Sequence, residues 1–311
     1  MVTLVNLRAY RRFFVVAWHF LPLLLSYARD RRRFFLFGGS RRVDSETRIE
    51  RANTLLSSLL TLGPTFIKLG QLLSTRPDIL PPEYVDELSK LQDEVPPADW
   101  DAAQEVVEAE LGPVDERFES FDTDAISGAS LGQVYVAEID GQRVAVKVRR
   151  PGIEELVAAD LRVIRWSVPI LLQFIGQARA FSLENLADEF AKTIREEMDY
   201  DREATMLTEI RENFADDPDV AIPAVVESHS GPRVLTMEYV GGTKINDVET
   251  LDRKGLDRYE LAETLQRAYL QMIIEDGVFH ADPHPGNLAV QDDDLVVFYD
   301  FGMSGRVDSF I

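Results

Sequence analysis

The segment His280–Asn287 reads H-A-D-P-H-P-G-N, and D-F-G begins at Asp300, after a short apolar run. Two prolines and a glycine stiffen the first segment, which fixes the spacing of its Asp and Asn. Asp300 lies 13 residues beyond Asn287, which is room for one β-hairpin that returns Asp300 to Asn287. Carboxylate and amide oxygens are ligands that suit Mg²⁺. The pattern predicts a phosphoryl-transfer site in which Asp282 positions the attacking hydroxyl, while Asn287 and Asp300 hold Mg²⁺.

Segments upstream supply the parts that an ATP site needs. In Val144-Ala145-Val146-Lys147, strand alternation puts Ala145 and Lys147 on one face, where Ala meets the base and Lys reaches the phosphates. A preceding loop of small residues would let backbone N–H groups approach phosphate oxygens. Against G-x-G-x-x-G-x-V only its last glycine and its valine match, so the loop alone is weak evidence. The candidate nucleotide-binding residues of this loop are Ser127, Gly128, Ala129, Ser130, Gly132 and Val134.

A strand over Val234–Tyr239 precedes Gly241-Gly242, as expected of a hinge between lobes. Backbone groups of Glu238, Tyr239 and Val240 would then bind the adenine edge. Lys147 also needs a carboxylate partner from a helix, and the acidic segment 195–203 offers several. Helical spacing does not choose between the candidates, which are Glu196, Glu197 and Glu203.

Charge and composition exclude several classes of function. The 311 residues carry a net charge of −21, which divides into +8 over residues 1–42 and −29 over the remainder. A body this acidic repels phosphate, so nucleic acid is not expected as a partner. With no Cys and four His, a disulfide framework, a thiolate zinc site and a multi-histidine metal site are excluded or disfavoured. Six Lys against 27 Arg, with 54 acids, resembles a protein adapted to a salty cytoplasm.

The basic N-terminal arm, residues 1–43, surrounds an apolar run of 13 residues, Phe13–Leu25. A membrane-spanning helix needs about 20 apolar residues. Two interpretations stay open. The arm is either an interfacial helix with Arg at lipid headgroups, or a helix docked on the protein's own body with Arg paired to its acids.

The sequence pattern predicts the secondary structure of the rest of the chain. Helices are expected over 44–74, broken at Gly63-Pro64, and again over 83–91 and 98–111. A β-hairpin is expected around Asp140-Gly141, helix over 153–215, and strands over 221–226 and 234–239. Helix over 259–276, a loop over 279–287 and a strand over 295–299 complete the prediction.

Taken together, these motifs resemble the UbiB/AarF (ADCK-like) atypical kinase family, from about residue 45 to the end. Ordinary kinases lack the family's K-x-G-Q motif, which here is Lys68, Gly70 and Gln71, and its E-x-D motif falls on Glu197 and Asp199. The family's alanine-rich loop, A-A-A-S, departs here at its first two positions, Ser127 and Gly128.

The resemblance implies an α+β, protein-kinase-like two-lobed fold with an N-terminal helical extension. The expected segments are a helical extension over 44–114, a small lobe with a helical insert over 115–240, and an incomplete large lobe over 241–311. In the family the K-x-G-Q extension crosses the active site and meets the E-x-D region. That cover excludes bulky protein substrates.

The expected activity is that of an ATP- and Mg²⁺-dependent atypical kinase or ATPase. Its expected setting is isoprenoid quinone lipid biosynthesis, with a lipid or quinone precursor as substrate. The protein is expected to be cytoplasmic and peripheral to the membrane. Because the chain ends nine residues after Gly302, it is interpreted as part of a longer protein. Two alternatives are a soluble small-molecule phosphotransferase of the aminoglycoside or choline type, and a nucleotide-gated membrane scaffold without turnover.

Overall fold

A computed structural model describes residues 2–31, 43–91, 98–128, 130–172 and 177–307. Its helices are α1 (Val2–Arg31), α2 (Ser45–Leu62), α3 (Pro64–Ser74), α4 (Pro82–Leu88), α5 (Trp100–Leu111), α6 (Val114–Arg117), α7 (Ile153–Leu172), α8 (Gln177–Glu197), α9 (Tyr200–Asn213), α10 (Val248–Lys254) and α11 (Arg258–Leu270). Its strands are β1 (Ser120–Phe121), β2 (Ser127–Gly128), β3 (Gly132–Ile139), β4 (Gln142–Arg149), β5 (Val220–Ala221), β6 (Val234–Glu238), β7 (Thr243–Lys244), β8 (Val278–His280), β9 (Leu288–Val290), β10 (Val296–Phe298) and β11 (Ser304–Arg306).

The chain forms two compact units. The first comprises Met1–Pro96, Gly128–Leu131 and Gly152–Ile194, and the second comprises Pro97–Ser127, Gly132–Pro151 and Arg195–Ile311. The helical insert was expected over 153–215 in the small lobe; its part up to Ile194 belongs to the same unit as the N-terminal helices, whereas α9 belongs to the second unit. Helix α5, expected in the extension, belongs to the second unit instead.

The first unit is helical, and its boundaries follow from local sequence. Asp44 caps α2 by accepting a hydrogen bond from the Thr47 N–H at 2.8 Å. Gly63, at φ 91°, ends α2, and Pro64 takes the first position of α3, where a missing N–H costs nothing. These helices enclose one apolar core. Its buried members are Val16, Leu55, Leu59, Leu62, Phe66, Ile67, Leu88, Leu91 and Val163.

Helix α1 packs into this core along one face, through Val16 and the ring of Phe20, which lies 6.2 Å from that of Phe66. Arg12 of α1 forms an ion pair with Asp160 of α7, whose side chain is fully buried. The expectation of a helix docked on the protein's own body is thus met for this face. A second line of α1 side chains is exposed, and it consists of Tyr10, Phe14, Trp18, Leu21 and Leu25.

The second unit is built on an antiparallel sheet of order β1-β3-β4-β6. The predicted hairpin joins β3 to β4, and its turn residues Asp140 and Gly141 have φ of 51° and 72°, as a two-residue turn requires. Val144, Val146 and Val148 bury one face of β4 against a core that includes α5. The rings of Trp100 and Phe121, 4.8 Å apart, stack within that core. Helix α5 is therefore an integral part of this unit.

A second sheet in the same unit has the order β5-β10-β9-β7, and β8 pairs with β11. Three expected elements differ from the structure. The strand expected over 221–226 is only β5, followed by an isolated bridge from Val225 to Met237. The loop expected over 279–287 contains the end of β8 and a 3-10 turn at Pro285–Asn287. The helix expected over 259–276 is α-helical only as far as Leu270, the end of α11, and its remainder, Gln271–Asp276, is a π turn.

Candidate active site

Lys147 lies at the centre of a buried charge cluster in the second unit. Its Nζ lies 2.7 and 2.9 Å from the two carboxylate oxygens of Glu203 in α9, and 2.9 Å from Oδ1 of Asp300. Among the three acids that the sequence left open, Glu203 is thus the one in contact with Lys147. Burial lowers the pKa of Lys147, but Asp300 and Glu203 together hold it well above its ordinary value, so the amine is charged.

The cluster holds two carboxylates for one cation. The Glu203 side chain is fully buried, and burial raises its pKa to about 7 against the opposing effect of Lys147. Asp300 is different, because 38% of its side chain is exposed. With both acids ionised the cluster has a net charge of −1, which favours a further cation beside the open carboxylate.

Asp300 has an uncommon backbone conformation for a residue with a side chain, with φ at 43°. Its Oδ1 also accepts a hydrogen bond from the N–H of Gly302 at 3.1 Å. The buried His280 lies behind it, with Nε2 donating to the carbonyl oxygens of Tyr299 and Asp300 at 3.1 and 3.0 Å. Burial lowers the pKa of His280, so the ring is neutral and its Nδ1 accepts from the Tyr269 hydroxyl. The sequence motif contains His280, but its spacing gave no role for it.

The stiff loop brings Asp282 and Asn287 together as predicted. Asn287 Nδ2 donates to Asp282 Oδ2 at 2.9 Å, which orders both side chains. The predicted hairpin return is also present, since β9 pairs with β10 and the N–H of Tyr299 donates to the carbonyl of Asn287 at 2.8 Å. Asn287 is therefore next to the residue that precedes Asp300.

Val134 and Ala145 lie on the same sheet face as Lys147. Val134 is the register partner of Lys147, and Ala145 is two residues before it on β4. These two small or short apolar side chains are only partly buried, as a face that receives a flat ring requires. The expected contact of Ala145 with the base stays a prediction.

Gly132 has a neighbour that the sequence did not indicate. A Cβ at this position would overlap the hydroxyl oxygen of Tyr200, and would also come within 3.3 Å of the Val148 carbonyl. Tyr200 is fully buried, and its ring lies 5.3 Å from Lys147 Nζ, within cation–π range. Gly132 is thus required by close packing on Tyr200, in addition to its expected place in the nucleotide loop. The only signal for Tyr200 was its position directly after the E-x-D motif.

The expected hinge is the end of β6. The N–H groups of Glu238 and Tyr239 donate to the carbonyls of Ala224 and Arg143, at 2.8 and 3.2 Å. The Val240 carbonyl accepts from the Tyr299 hydroxyl at 2.8 Å. An adenine would therefore meet the other backbone groups of this segment, with the Val240 N–H among them.

The remaining loop residues are divided between the units. Ser127 belongs to the second unit, whereas Gly128 and Ser130 belong to the first, and Ala129 lies outside the described residues. Ser130 is fully buried. The role of these residues in nucleotide binding stays a prediction.

The K-x-G-Q residues also lie in the first unit, on α3. A Cβ at Gly70 would overlap the side chains of Leu91 and Leu59, so the glycine permits close packing of α3. Gln71 Nε2 contacts the Leu91 carbonyl at 3.5 Å, and Lys68 lies one turn earlier. Asp199, of the E-x-D motif, caps α9 in the second unit by accepting from the Arg202 N–H at 3.1 Å. The expected opposition of the two motifs stays a prediction.

Mg²⁺ fits the donors that this site presents. Asp300 offers a partly exposed carboxylate in a cluster with excess negative charge, and Asn287 offers an amide oxygen on the neighbouring strand end. Within the described part of the chain there is no group of three or more His, Cys, Asp or Glu arranged for a metal. Mg²⁺ does not need such a group, because it is commonly held by one or two carboxylates with phosphate oxygens and water.

A strand lysine paired to a helix glutamate, an Asp–Asn loop and an aspartate that follows a β-hairpin form the arrangement typical of kinase-like folds. The family model described as the ABC1 atypical kinase-like domain matches residues 90–311. The chain therefore belongs to the ABC1 (UbiB/ADCK) atypical kinase family, in agreement with the resemblance found in the sequence.

Two curated relatives come from Arabidopsis thaliana. The chain is 45% identical over 261 residues to the chloroplastic protein ACTIVITY OF BC1 COMPLEX KINASE 8, and this match covers 82% of the chain and 34% of that protein. It is 40% identical over 300 residues to ACTIVITY OF BC1 COMPLEX KINASE 7, also chloroplastic, with 94% and 43% covered. The chain thus spans less than half the length of these two relatives.

A solved structure, that of Rv3197 from Mycobacterium tuberculosis in complex with erythromycin, is similar with a TM-score of 0.59 and 28% identity. The match covers 85% of this chain and 66% of that one. Together with the family match, it shows the kinase-like α+β fold that the sequence predicted.

None of the helices that the structure describes combines the length and apolar character that a membrane-spanning helix requires.

Proposed function

We propose that the protein to which this chain belongs is an ATP- and Mg²⁺-dependent phosphotransferase or ATPase. The observation that carries the proposal is the cluster of Lys147 with Glu203 and Asp300. Lys147 binds ATP phosphates, and Glu203 fixes the amine for that role. Asp282 orients the attacking hydroxyl or water, because the hydrogen bond from Asn287 leaves its carboxylate fixed in the stiff loop.

Asn287 and Asp300 are the residues that would hold Mg²⁺, which would neutralise phosphate charge when bound. Asp300→Asn removes the negative charge that attracts the ion and keeps the side-chain shape. We expect this substitution to lower the affinity for ATP in the presence of Mg²⁺ by about 100-fold or more. Asp293→Asn, in the exposed turn before β10, is the matched control. Isothermal titration with ATP, with and without Mg²⁺, measures both; unchanged binding by Asp300→Asn would refute the metal assignment.

The proposed substrate is a lipid or quinone precursor, as expected for isoprenoid quinone biosynthesis. Support comes from α1, whose exposed line of apolar side chains lies in a basic arm. Aromatic and aliphatic side chains flanked by Arg suit an anionic membrane surface, so we place the protein peripherally on a membrane. The double variant Trp18→Ser, Phe14→Ser should sediment less with anionic vesicles than the unsubstituted chain. Equal sedimentation of the double variant and the unsubstituted chain would refute the membrane contact. Nucleic acid is not a proposed partner, since the rest of the chain is strongly acidic.

A second candidate substrate is a soluble alcohol. The structural relative from M. tuberculosis was solved in complex with a small molecule, erythromycin. ATP turnover by the full-length protein distinguishes the candidates when it is measured with anionic liposomes and quinone precursors, and separately with soluble alcohols. Stimulation by the first set supports the lipid substrate, and phosphorylation of the second supports the alternative. ATP binding without turnover under either condition would favour a nucleotide-gated scaffold. Each assay is run at low and high salt, because the acidic composition predicts better performance at high salt.

A further inference from the structure

Arg202, on α9, contacts the chain just beyond Asp300. Its guanidinium donates to the carbonyl oxygen of Gly302 at 3.3 Å and to that of Ser304 at 2.6 Å. The Gly302 carbonyl lies in the turn that follows the D-F-G aspartate, and the Ser304 carbonyl belongs to the first residue of β11. One side chain therefore fixes the backbone at two points within four residues of Asp300.

The backbone before Asp300 is fixed in a similar way. His280 donates to the carbonyls of Tyr299 and Asp300, so the chain is held by His280 on one side and by Arg202 on the other. Such anchoring is needed here, because a positive φ at an aspartate is unfavourable and persists only where the surroundings impose it.

Helix α9 brings Arg202 and Glu203 into the site as consecutive residues. Glu203 binds Lys147, which binds the carboxylate of Asp300, while Arg202 binds the backbone that follows it. The helix start that presents both residues is capped by Asp199, through the N–H of Arg202 itself. The same helix thus controls the side chain and the main chain of Asp300.

We propose that Arg202 is a positioning residue that fixes the backbone around Asp300 and thereby sets the affinity of the site for Mg²⁺. The effect on Mg²⁺ affinity rests on the proposed function, whereas the anchoring of the backbone by Arg202 does not. Residues that orient a metal ligand without touching the metal commonly contribute about 10- to 100-fold to metal affinity. Arginine suits the task because its planar group can donate to two acceptors at once.

The test compares Arg202→Met, Arg202→Lys and the control Arg211→Met in the chain as it stands. Arg211 lies on the same helix, in its last turn, and is exposed. The first readout is the Mg²⁺ concentration that half-saturates ATP binding. We expect an increase of about tenfold for Arg202→Met, a smaller increase for Arg202→Lys, and none for the control. Mg²⁺-free ATP binding should stay within about twofold, which a general loss of folding would not permit.

The second readout is hydrogen exchange of the free protein, without nucleotide or metal. We expect faster exchange of amides in residues 303–306 of Arg202→Met, and no change in the control. An unaltered Mg²⁺ requirement in Arg202→Met, with the unsubstituted chain responding to Mg²⁺, overturns the proposal. If the unsubstituted chain shows no Mg²⁺-dependent ATP binding, the proposed function fails and the metal half of this proposal fails with it. The exchange data then decide the anchoring alone: unchanged exchange overturns it.

Discussion

Each unit of the molecule buries an ion pair, and the two pairs are built differently. In the first unit, one Arg meets one Asp: Arg12 forms two hydrogen bonds with Asp160, one of them 3.1 Å long, and a third with the Leu62 carbonyl. In the second unit, Lys147 is shared by Glu203 and by the partly exposed Asp300. The first pair is balanced and closed, which suits a structural role. The second has one negative charge too many and an open side, which suits the binding of a cation.

Removing the cation of the balanced pair should have the largest effect on stability. Arg12→Met leaves Asp160 buried without its ionic partner, and we expect unfolding to become easier by about 3–5 kcal/mol. Burial already raises the pKa of Asp160 despite Arg12. Urea unfolding followed by tryptophan fluorescence measures this loss of stability, because Trp18 and Trp166 lie in the first unit. Arg11→Met, an exposed neighbour, is the control; an equal effect of both variants contradicts the structural role.

The corresponding change in the unbalanced cluster should be smaller and should respond to ions. Lys147→Met leaves two carboxylates facing each other, but Asp300 reaches solvent and Glu203 can take up a proton. We expect a loss of about 2–3 kcal/mol at pH 8, together with the loss of ATP binding. Added Mg²⁺ should restore part of the stability of Lys147→Met and none of that of Arg12→Met. Equal responses of both variants to Mg²⁺ in urea unfolding would remove the distinction between the two pairs.

The sequence predicted the second cluster better than the first. Short motifs singled out Lys147, Asp282, Asn287 and Asp300, because the roles proposed for these residues depend on residue type and on local spacing. The hairpin that returns Asp300 to Asn287 was predictable for the same reason. The partner of Lys147 was not, since Glu203 is 56 residues away and helical spacing alone did not separate it from two other acids.

Long-range packing accounts for what else the sequence left undecided. Arg12 and Asp160 are 148 residues apart, and neither lies in a motif, so only the structure pairs them. The same holds for Tyr200 and Gly132, and for the membership of α5 in the second unit, where Ala103, Val107 and Trp100 pack into the core of that unit. The adaptation to salt that the composition suggests stays a prediction.

Gly132→Ala tests how tightly the unbalanced cluster is packed. Its new methyl group would overlap the Tyr200 hydroxyl, and we expect a loss of about 1–3 kcal/mol in urea unfolding. Tyr200→Phe removes the hydroxyl oxygen and keeps the ring beside Lys147. The double variant should therefore recover most of the loss, and the weaker contact with the Val148 carbonyl at 3.3 Å should account for the remainder. Additive losses in the double-mutant cycle would show that the hydroxyl is not what requires glycine at this position.

The smallest expected effect is a pH dependence that only the unbalanced cluster should show. The pKa of Glu203 is about 7 in the folded chain, above the value of 4.5 for an unperturbed glutamate. Between those values the folded state binds more protons than the unfolded state, so the contribution of Glu203 to stability is full below pH 4.5 and is lost as the pH rises through 7. Glu203→Gln cannot ionise. Relative to Glu203→Gln, the unsubstituted chain should lose about 1–2 kcal/mol of unfolding free energy between pH 5 and pH 8. Urea unfolding at a series of pH values measures the difference. Parallel pH profiles for the two chains would mean that Lys147 keeps Glu203 ionised throughout this range, so that the net charge of the cluster, and with it its demand for a cation, would not vary with pH.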